Sequence, residues 1–208
     1  MEYEYSEDSI RLPGKALTVI DRLVLDFVSR IKIKYVIVSG YVAILFGRNR
    51  NTEDIDLFIE RVKLGEFTKF YENIIASKRY YCINAENAKE AYELLTDEKS
   101  SIRFAEPGTF DPNFEVKFPQ NELNLYSLEH AIDVVINERH RIKMGPMELQ
   151  LAYKLKLGSE KDLLDAAHLY EIFKKDINRR ELKSFIKKLE VNEKTAKGIL
   201  GDYYGRKG

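Results

Sequence analysis

Apolar residues recur at helical spacing at Leu17, Ile20, Val24, Phe27 and Val28, after Pro13-Gly14, and predict an amphipathic helix. The period then changes. Tyr35-Val36-Ile37-Val38 is a short β-branched run ending at Ser39-Gly40, the pattern of a buried strand entering a tight turn, and Tyr41 to Phe46 reads as a short helix. After the polar loop from Gly47 to Glu53, Asp54-Ile55-Asp56-Leu57-Phe58-Ile59 alternates as a half-buried strand does. Period two sets Asp54 and Asp56 on one face, with Cα atoms about 7 Å apart.

Further along, Phe67, Phe70, Tyr71, Ile74 and Ile75 predict a helix, Arg79 to Ile83 a strand, and Ala88 to Leu95 another helix. Ser101 to Ala105 and Phe114 to Phe118 predict strands separated by the turn-rich segment from Pro107 to Asn113. From Ser127 the pattern turns largely helical: Leu128 to Ile136, a short strand at Arg141 to Met144, then Pro146 to Leu157 with proline near the first turn. Ser159 and Asp162 form a pattern much like a capping box, opening a helix to about Phe173. Two helices follow, near Arg179 to Leu189 and Glu193 to Leu200, and a loose tail carries Gly201, Gly205 and Gly208. The expectation is an α/β (α+β) fold with a mixed sheet flanked by helices. It divides into an α/β core over 1–126 and a mainly helical part over 127–208, packed on the core.

Composition narrows the function classes. The chain of 208 residues carries 34 Lys+Arg against 34 Asp+Glu, so nucleic-acid contact must come from a local patch and non-specific polyanion binding is not expected. Apolar residues at 44% and charged ones at 33%, with a mean hydropathy of -0.39, argue for a packed core under an ionised surface and against disorder. The single cysteine, Cys82, has no internal disulfide partner and reads as a buried small hydrophobe. The acidic N-terminal stretch is unlike a leader, and no apolar run is long enough for a membrane span, so a cytoplasmic protein without membrane contact is expected.

Two carboxylates on one strand face can converge on a hard divalent cation, and such ions bridge nucleotide phosphates and stabilise the attacking and leaving oxygens. An alternating strand often carries acids on its solvent side, so the pair alone decides little. Its context adds weight, because Gly40 lets the backbone approach a phosphate closely about fourteen residues before the pair. No Walker-type loop and no Gly-x-Ser-x-Gly elbow is present, and the three histidines lack metal-ligand spacing.

Val38-Ser39-Gly40 followed by Arg50-Asn51-Thr52-Glu53-Asp54-Ile55-Asp56-Leu57 resembles the signature of the DNA polymerase β-like nucleotidyltransferase superfamily. It is most similar to the prokaryotic minimal and abortive-infection type IV toxin-like branch, where an Arg-x-Thr-x-Asp-Ile-Asp run is typical. Lys154-Leu155-Lys156-Leu157-Gly158-Ser159-Glu160-Lys161-Asp162-Leu163-Leu164-Asp165 is similar to that branch's helical lysine and the acidic helix after it. Ser39 departs from the pattern, standing where the family has its first glycine.

The resemblance implies transfer of a nucleoside monophosphate from a nucleoside triphosphate (NTP) to a hydroxyl of an RNA end, a protein or a small molecule. It implies Mg²⁺ or Mn²⁺ on Asp54, Asp56 and a third acid, and nucleotide contacts from Ser39, Gly40, Arg50, Thr52, Lys154 and Asp162. A toxin-like role with a cognate inhibitor protein is also implied. The third acid is expected to be Glu115, since in Phe114-Glu115-Val116-Lys117-Phe118 the alternation turns Glu115 and Lys117 away from the core; Asp133 is its rival. Arg48 and Arg50 are suited to bidentate phosphate contact, and Arg180, Lys183 and Lys187 share a helix face that suits RNA. The competing reading is a nucleotide- or partner-binding module of the same fold without turnover.

Overall fold

Alternation buries Ile55, Leu57 and Ile59 of β4 (Asp54–Ile59) and leaves Asp54, Asp56 and Phe58 half-buried on the opposite face. This strand lies near the middle of a mixed sheet in a computed structural model that describes residues 2–6 and 8–201. The chain forms two compact units, one of Met1–Tyr41 and Asn51–Gly145, the other of Val42–Arg50 and the chain from Pro146 on.

The first unit holds all nine strands found among the described residues. They are β1 (Glu4–Tyr5), β2 (Ser9–Leu12), β3 (Tyr35–Val38), β4, β5 (Tyr81–Cys82), β6 (Ile102–Ala105), β7 (Asn113–Lys117), β8 (Ile132–Ile136) and β9 (His140–Met144). Their spatial order is β1-β2-β8-β9-β3-β4-β7-β6-β5, with β4 antiparallel to β3 and parallel to β7. Helices α1 (Val19–Ser29), α3 (Leu64–Ile75), α4 (Ala88–Thr96) and α5 (Glu122–Glu129) belong to this unit, while α2 (Gly40–Leu45) begins at its edge. Thr18 caps α1 reciprocally with Asp21, whose carboxylate also takes the Tyr41 hydroxyl at 2.8 Å and the Lys15 ammonium at 3.2 Å. Phe27 of α1 stacks on Phe114 of β7 at 3.7 Å between ring centroids and meets Tyr80 edge-on, anchoring helix to sheet beside the strand that carries Glu115.

In the second unit α6 (Met147–Leu157) packs against α7 (Glu160–Phe173) and α8 (Arg179–Lys188), and α7 against α9 (Glu193–Leu200). Helix α6 is buried nearly all round, so its polar residues Glu148, Gln150 and Lys154 need internal partners. The segment Val42–Arg50 joins this unit through the Phe46 carbonyl, 3.0 Å from His168 Nε2, and an edge-on contact of Phe46 with Phe173.

Several expectations change. The helix read over Leu128 to Ile136 is two elements, α5 ending at Glu129 and β8 beginning at Ile132. The β-branched run Ile132-Asp133-Val134-Val135-Ile136 pairs with both β2 and β9, and that pairing outweighs its local period. The sheet therefore continues to Met144, and the units divide after Gly145 rather than near residue 127. Strands β1 and β2 are additions, too short and polar to announce themselves. Cys82 is half-buried rather than fully buried. The loose tail expected over Gly205 and Gly208 lies outside the described residues.

Candidate active site

The pairing register gathers the site in the first unit. Val38, the residue before the Ser39-Gly40 turn, lies opposite Asp56 of β4, and Asp56 lies opposite Glu115 of β7. Glu115 in turn lies opposite Arg103 of β6. Four adjacent strands thus deliver the turn, the acid pair, a third acid and an arginine. The start of β4 is fastened by Thr52, whose hydroxyl donates to the Asp54 carbonyl at 2.8 Å, and by Asn113, whose backbone N–H donates to the Glu53 carbonyl at 2.9 Å. Ser39 adopts φ +66°, in the left-handed region that glycine enters freely and serine only at a cost.

The electrostatics are uneven. Lys117 Nζ stands 2.6 Å from Glu115 Oε2 and 3.3 Å from Asp56 Oδ1, so a single ammonium serves both carboxylates. Arg103 Nε donates to Glu115 Oε1 at 2.8 Å. Burial pushes the Glu115 carboxyl up, but the Lys117 and Arg103 bonds outweigh it and hold it below its ordinary value. Asp56 goes the other way: burial pushes it up, Lys117 pulls it down only in part, and the nearby Asp54 and Glu115 charges add to the rise. The face therefore carries more negative charge than its own cations neutralise at Asp56.

Asp54 and Asp56 are hard oxygen donors of the kind Mg²⁺ or Mn²⁺ takes, and both lie on one face of β4. Glu115 has an oxygen engaged by Arg103 and another by Lys117, so it does not stand ready as a third ligand. Among the described residues no group of three or more His, Cys, Asp or Glu side chains stands in a metal-holding arrangement. The donors for a hard ion are thus limited to the chemistry of the aspartate pair, while Glu115 is turned to its own cations. Asp133, the rival third acid, is on β8, which β9 and β3 separate from β4, and it pairs with Lys143 at 2.8 Å and Arg141 at 3.3 Å.

The remaining predicted nucleotide residues form a different cluster, within the second unit. Lys154 is 2% exposed, and its Nζ lies 2.8 Å from Asp165 Oδ2 and 3.7 Å from Asp162 Oδ1. Arg50 grips both oxygens of Asp165, Nε at 3.0 Å and a terminal nitrogen at 2.9 Å, and Arg48 Nε lies 3.6 Å away. Burial raises the Asp165 carboxyl, yet the bonds from Arg50 and Lys154 hold it below its ordinary value. Asp162 follows the Ser159 cap, whose hydroxyl donates to its carboxylate at 2.6 Å. In this arrangement the buried lysine is bonded to Asp165, the carboxylate that also holds Arg50.

Sequence spacing places Lys117 on the acid face but does not disclose its bond to Asp56, which lies 61 residues away and needs the parallel β4–β7 register. Arg103 is a further residue that sequence reasoning passed over, within a strand whose other members are apolar.

The chain is similar in structure to a protein described as an antigenic nucleotidyltransferase-like protein from Paracoccidioides brasiliensis, with a TM-score of 0.51 and 18% sequence identity, over 94% of this chain and 95% of the other. No family model matches the sequence, and no curated protein matches it closely. The likeness establishes the fold as nucleotidyltransferase-like. No helix among the described residues is long and apolar enough to cross a membrane.

Proposed function

We propose that the protein is a divalent-metal-dependent nucleotidyltransferase that moves a nucleoside monophosphate from an NTP to an acceptor hydroxyl. The observation that supports this best is Asp54 and Asp56 on one face of β4, in register with the end of β3 that leads into Ser39-Gly40 and with Glu115 of β7. Asp54 and Asp56 would hold Mg²⁺ or Mn²⁺, which when bound supplies charge neutralisation at the α-phosphate. The Ser39-Gly40 turn would receive the donor's phosphates, with Thr52 keeping the acid strand in place. In the transfer the acceptor oxygen bonds to the α-phosphorus and the bond to the pyrophosphate oxygen breaks. Pyrophosphate leaves with the electron pair, and the hydroxyl proton passes to a carboxylate of the acid face and on to water. The protein's contribution would be positioning and electrostatics. Arg50, Lys154 and Asp162 would serve as an internal support, with Arg50 held on Asp165. A toxin-like role restrained by a cognate inhibitor, in the cytoplasm, is part of this reading through the sequence resemblance.

The test is transfer from each of four α-³²P-labelled nucleoside triphosphates with Mg²⁺ or Mn²⁺, offering total tRNA, the protein itself and cell extract as acceptors. Label moved by the wild type and not by Asp54→Ala/Asp56→Ala supports the reading. A second reading, a nucleotide- or partner-binding module without turnover, is favoured by the ion pairs that occupy Glu115. It takes the lead if no label moves while NTP still stabilises the fold.

A further inference from the structure

Beside the acid face lies a cavity of about 440 Å³, within the first unit, whose walls include Phe58 from β4, Arg103 from β6, Glu115 and Lys117 from β7, and Lys99 and Gln120 from flanking loops. Its volume is that of a small-ligand site. Resting on the transfer reading above, we infer that this cavity is the acceptor subsite and that the acceptor carries a phosphate near the hydroxyl that is modified.

Three of these side chains are cationic and one is anionic. Arg103 spends Nε and one terminal nitrogen on Glu115 yet remains half exposed, and a guanidinium has five N–H donors, so it retains donors for a second anion. Lys99 is exposed, and its backbone sits at φ +52°. The loop that carries it is fastened: the Gln120 side-chain amide donates to the Lys99 carbonyl, and Asn84 Nδ2 donates to the Ser101 carbonyl at 2.8 Å. Lys99 is thus carried on a tied backbone at the cavity wall. Phe58 lies two residues after Asp56 on the same face and offers an apolar surface against which a sugar or base can pack.

The inner wall connects this cavity to the chemistry. Glu115 and Lys117 line it, and Lys117 is also bonded to Asp56. A molecule with its phosphate on Lys99 and Arg103 therefore extends along Lys117 to the acid pair, where its hydroxyl would displace pyrophosphate. An uncharged acceptor leaves Lys99 and the remaining donors of Arg103 without an anion, and a protein serine supplies no phosphate. A sugar phosphate and a nucleic-acid end share the required chemistry.

Isothermal titration of the full chain separates the alternatives, using ribose 5-phosphate, a 5′-phosphorylated dinucleotide, ribose and a serine-containing peptide as probes. The phosphorylated probes are expected to bind, and at least tenfold more weakly to Lys99→Glu, with Lys99→Gln between; thermal unfolding shows that both variants fold. Preference for ribose 5-phosphate would identify a small phosphoester acceptor, and preference for the dinucleotide a nucleic-acid end. Equal binding of ribose, tighter binding of the peptide, or phosphate binding indifferent to Lys99 overturns the cavity assignment. Stabilisation by Mg²⁺ and NTP is followed in parallel. If it is intact while no probe binds through its phosphate, the cavity assignment alone falls. If the wild type shows no nucleotide stabilisation at all, the transfer reading falls and the acceptor assignment with it.

Discussion

In the second unit, Asp165 is completely buried and meets Lys154, Arg50 and Arg48, so its one negative charge is surrounded by three positive ones. In the first unit, Asp56 and Glu115 share Lys117 on a sheet face, with Asp54 adding a third negative charge beside them. The two clusters are made of the same residue types. One is closed, with its carboxyl held below its ordinary value; in the other, which is open, Glu115 is likewise held below while Asp56 is pushed above, mainly by burial. In the second unit the cations outnumber the buried carboxylate they surround, whereas on the sheet face of the first unit the carboxylates outnumber the ammonium they share. On that contrast, loss of Asp165 is expected to act on stability and loss of Asp56 on the proposed transfer.

The largest effect is expected from Asp165→Asn. Removing one partner of a buried pair strands Lys154, at a cost of about 3–5 kcal/mol, measured by urea unfolding. Lys154→Met should cost less, because Asp165 keeps Arg50. Since Asp165 is depressed in the folded state, it contributes stability above its ordinary value of 3.8, lost as pH falls through the folded one. Equal stability of Asp165→Asn and wild type near neutral pH would contradict the closed-cluster view.

Asp56→Asn should act in the opposite manner. It removes a carboxylate from a face with excess negative charge, so the fold is expected to keep its stability while transfer falls by roughly 10²-fold or more. Loss of stability as large as that of Asp165→Asn would show that the two clusters do the same job. Third in size is Ser39→Gly: relief of a left-handed serine is expected to raise stability by about 1 kcal/mol, seen as a higher Tm. An unchanged or lower Tm would mean that the serine side chain repays its backbone cost.

Much of this contrast was legible from the residues in order. The alternation in β4 placed Asp54 and Asp56 on one face, and alternation in β7 turned Glu115 and Lys117 to one side, because period two is a local property of a strand. What pairs with what is not local. Whether Glu115 or Asp133 neighbours the acid pair depends on strand order, and β8 pairs with β2 across more than a hundred residues. The resemblance of its helix to a family motif implied a nucleotide contact for Lys154; the structure shows it buried on α6 and bonded to Asp165, a partner that spacing does not disclose.

Glu148 sharpens the comparison with the smallest effect. It lies in the closed unit, yet the donors it meets are neutral backbone N–H groups, that of Asn178 at 2.7 Å and its own, and the Glu181 charge adds to the cost of ionising it. Burial pushes its carboxyl above the ordinary 4.5, and those N–H groups offset the rise only in part. The folded protein therefore holds a proton that the unfolded chain releases above 4.5, and stability should fall as pH rises from there through the folded value. Glu148→Gln keeps an oxygen for Asn178 and has no charge to bury. It should match the wild type below this window and exceed it by about 1 kcal/mol or less above, in urea unfolding from pH 4 to 8. Curves that stay parallel across that range would mean that Glu148 is neutralised as Asp165 is, and that charge balance does not distinguish the members of this unit.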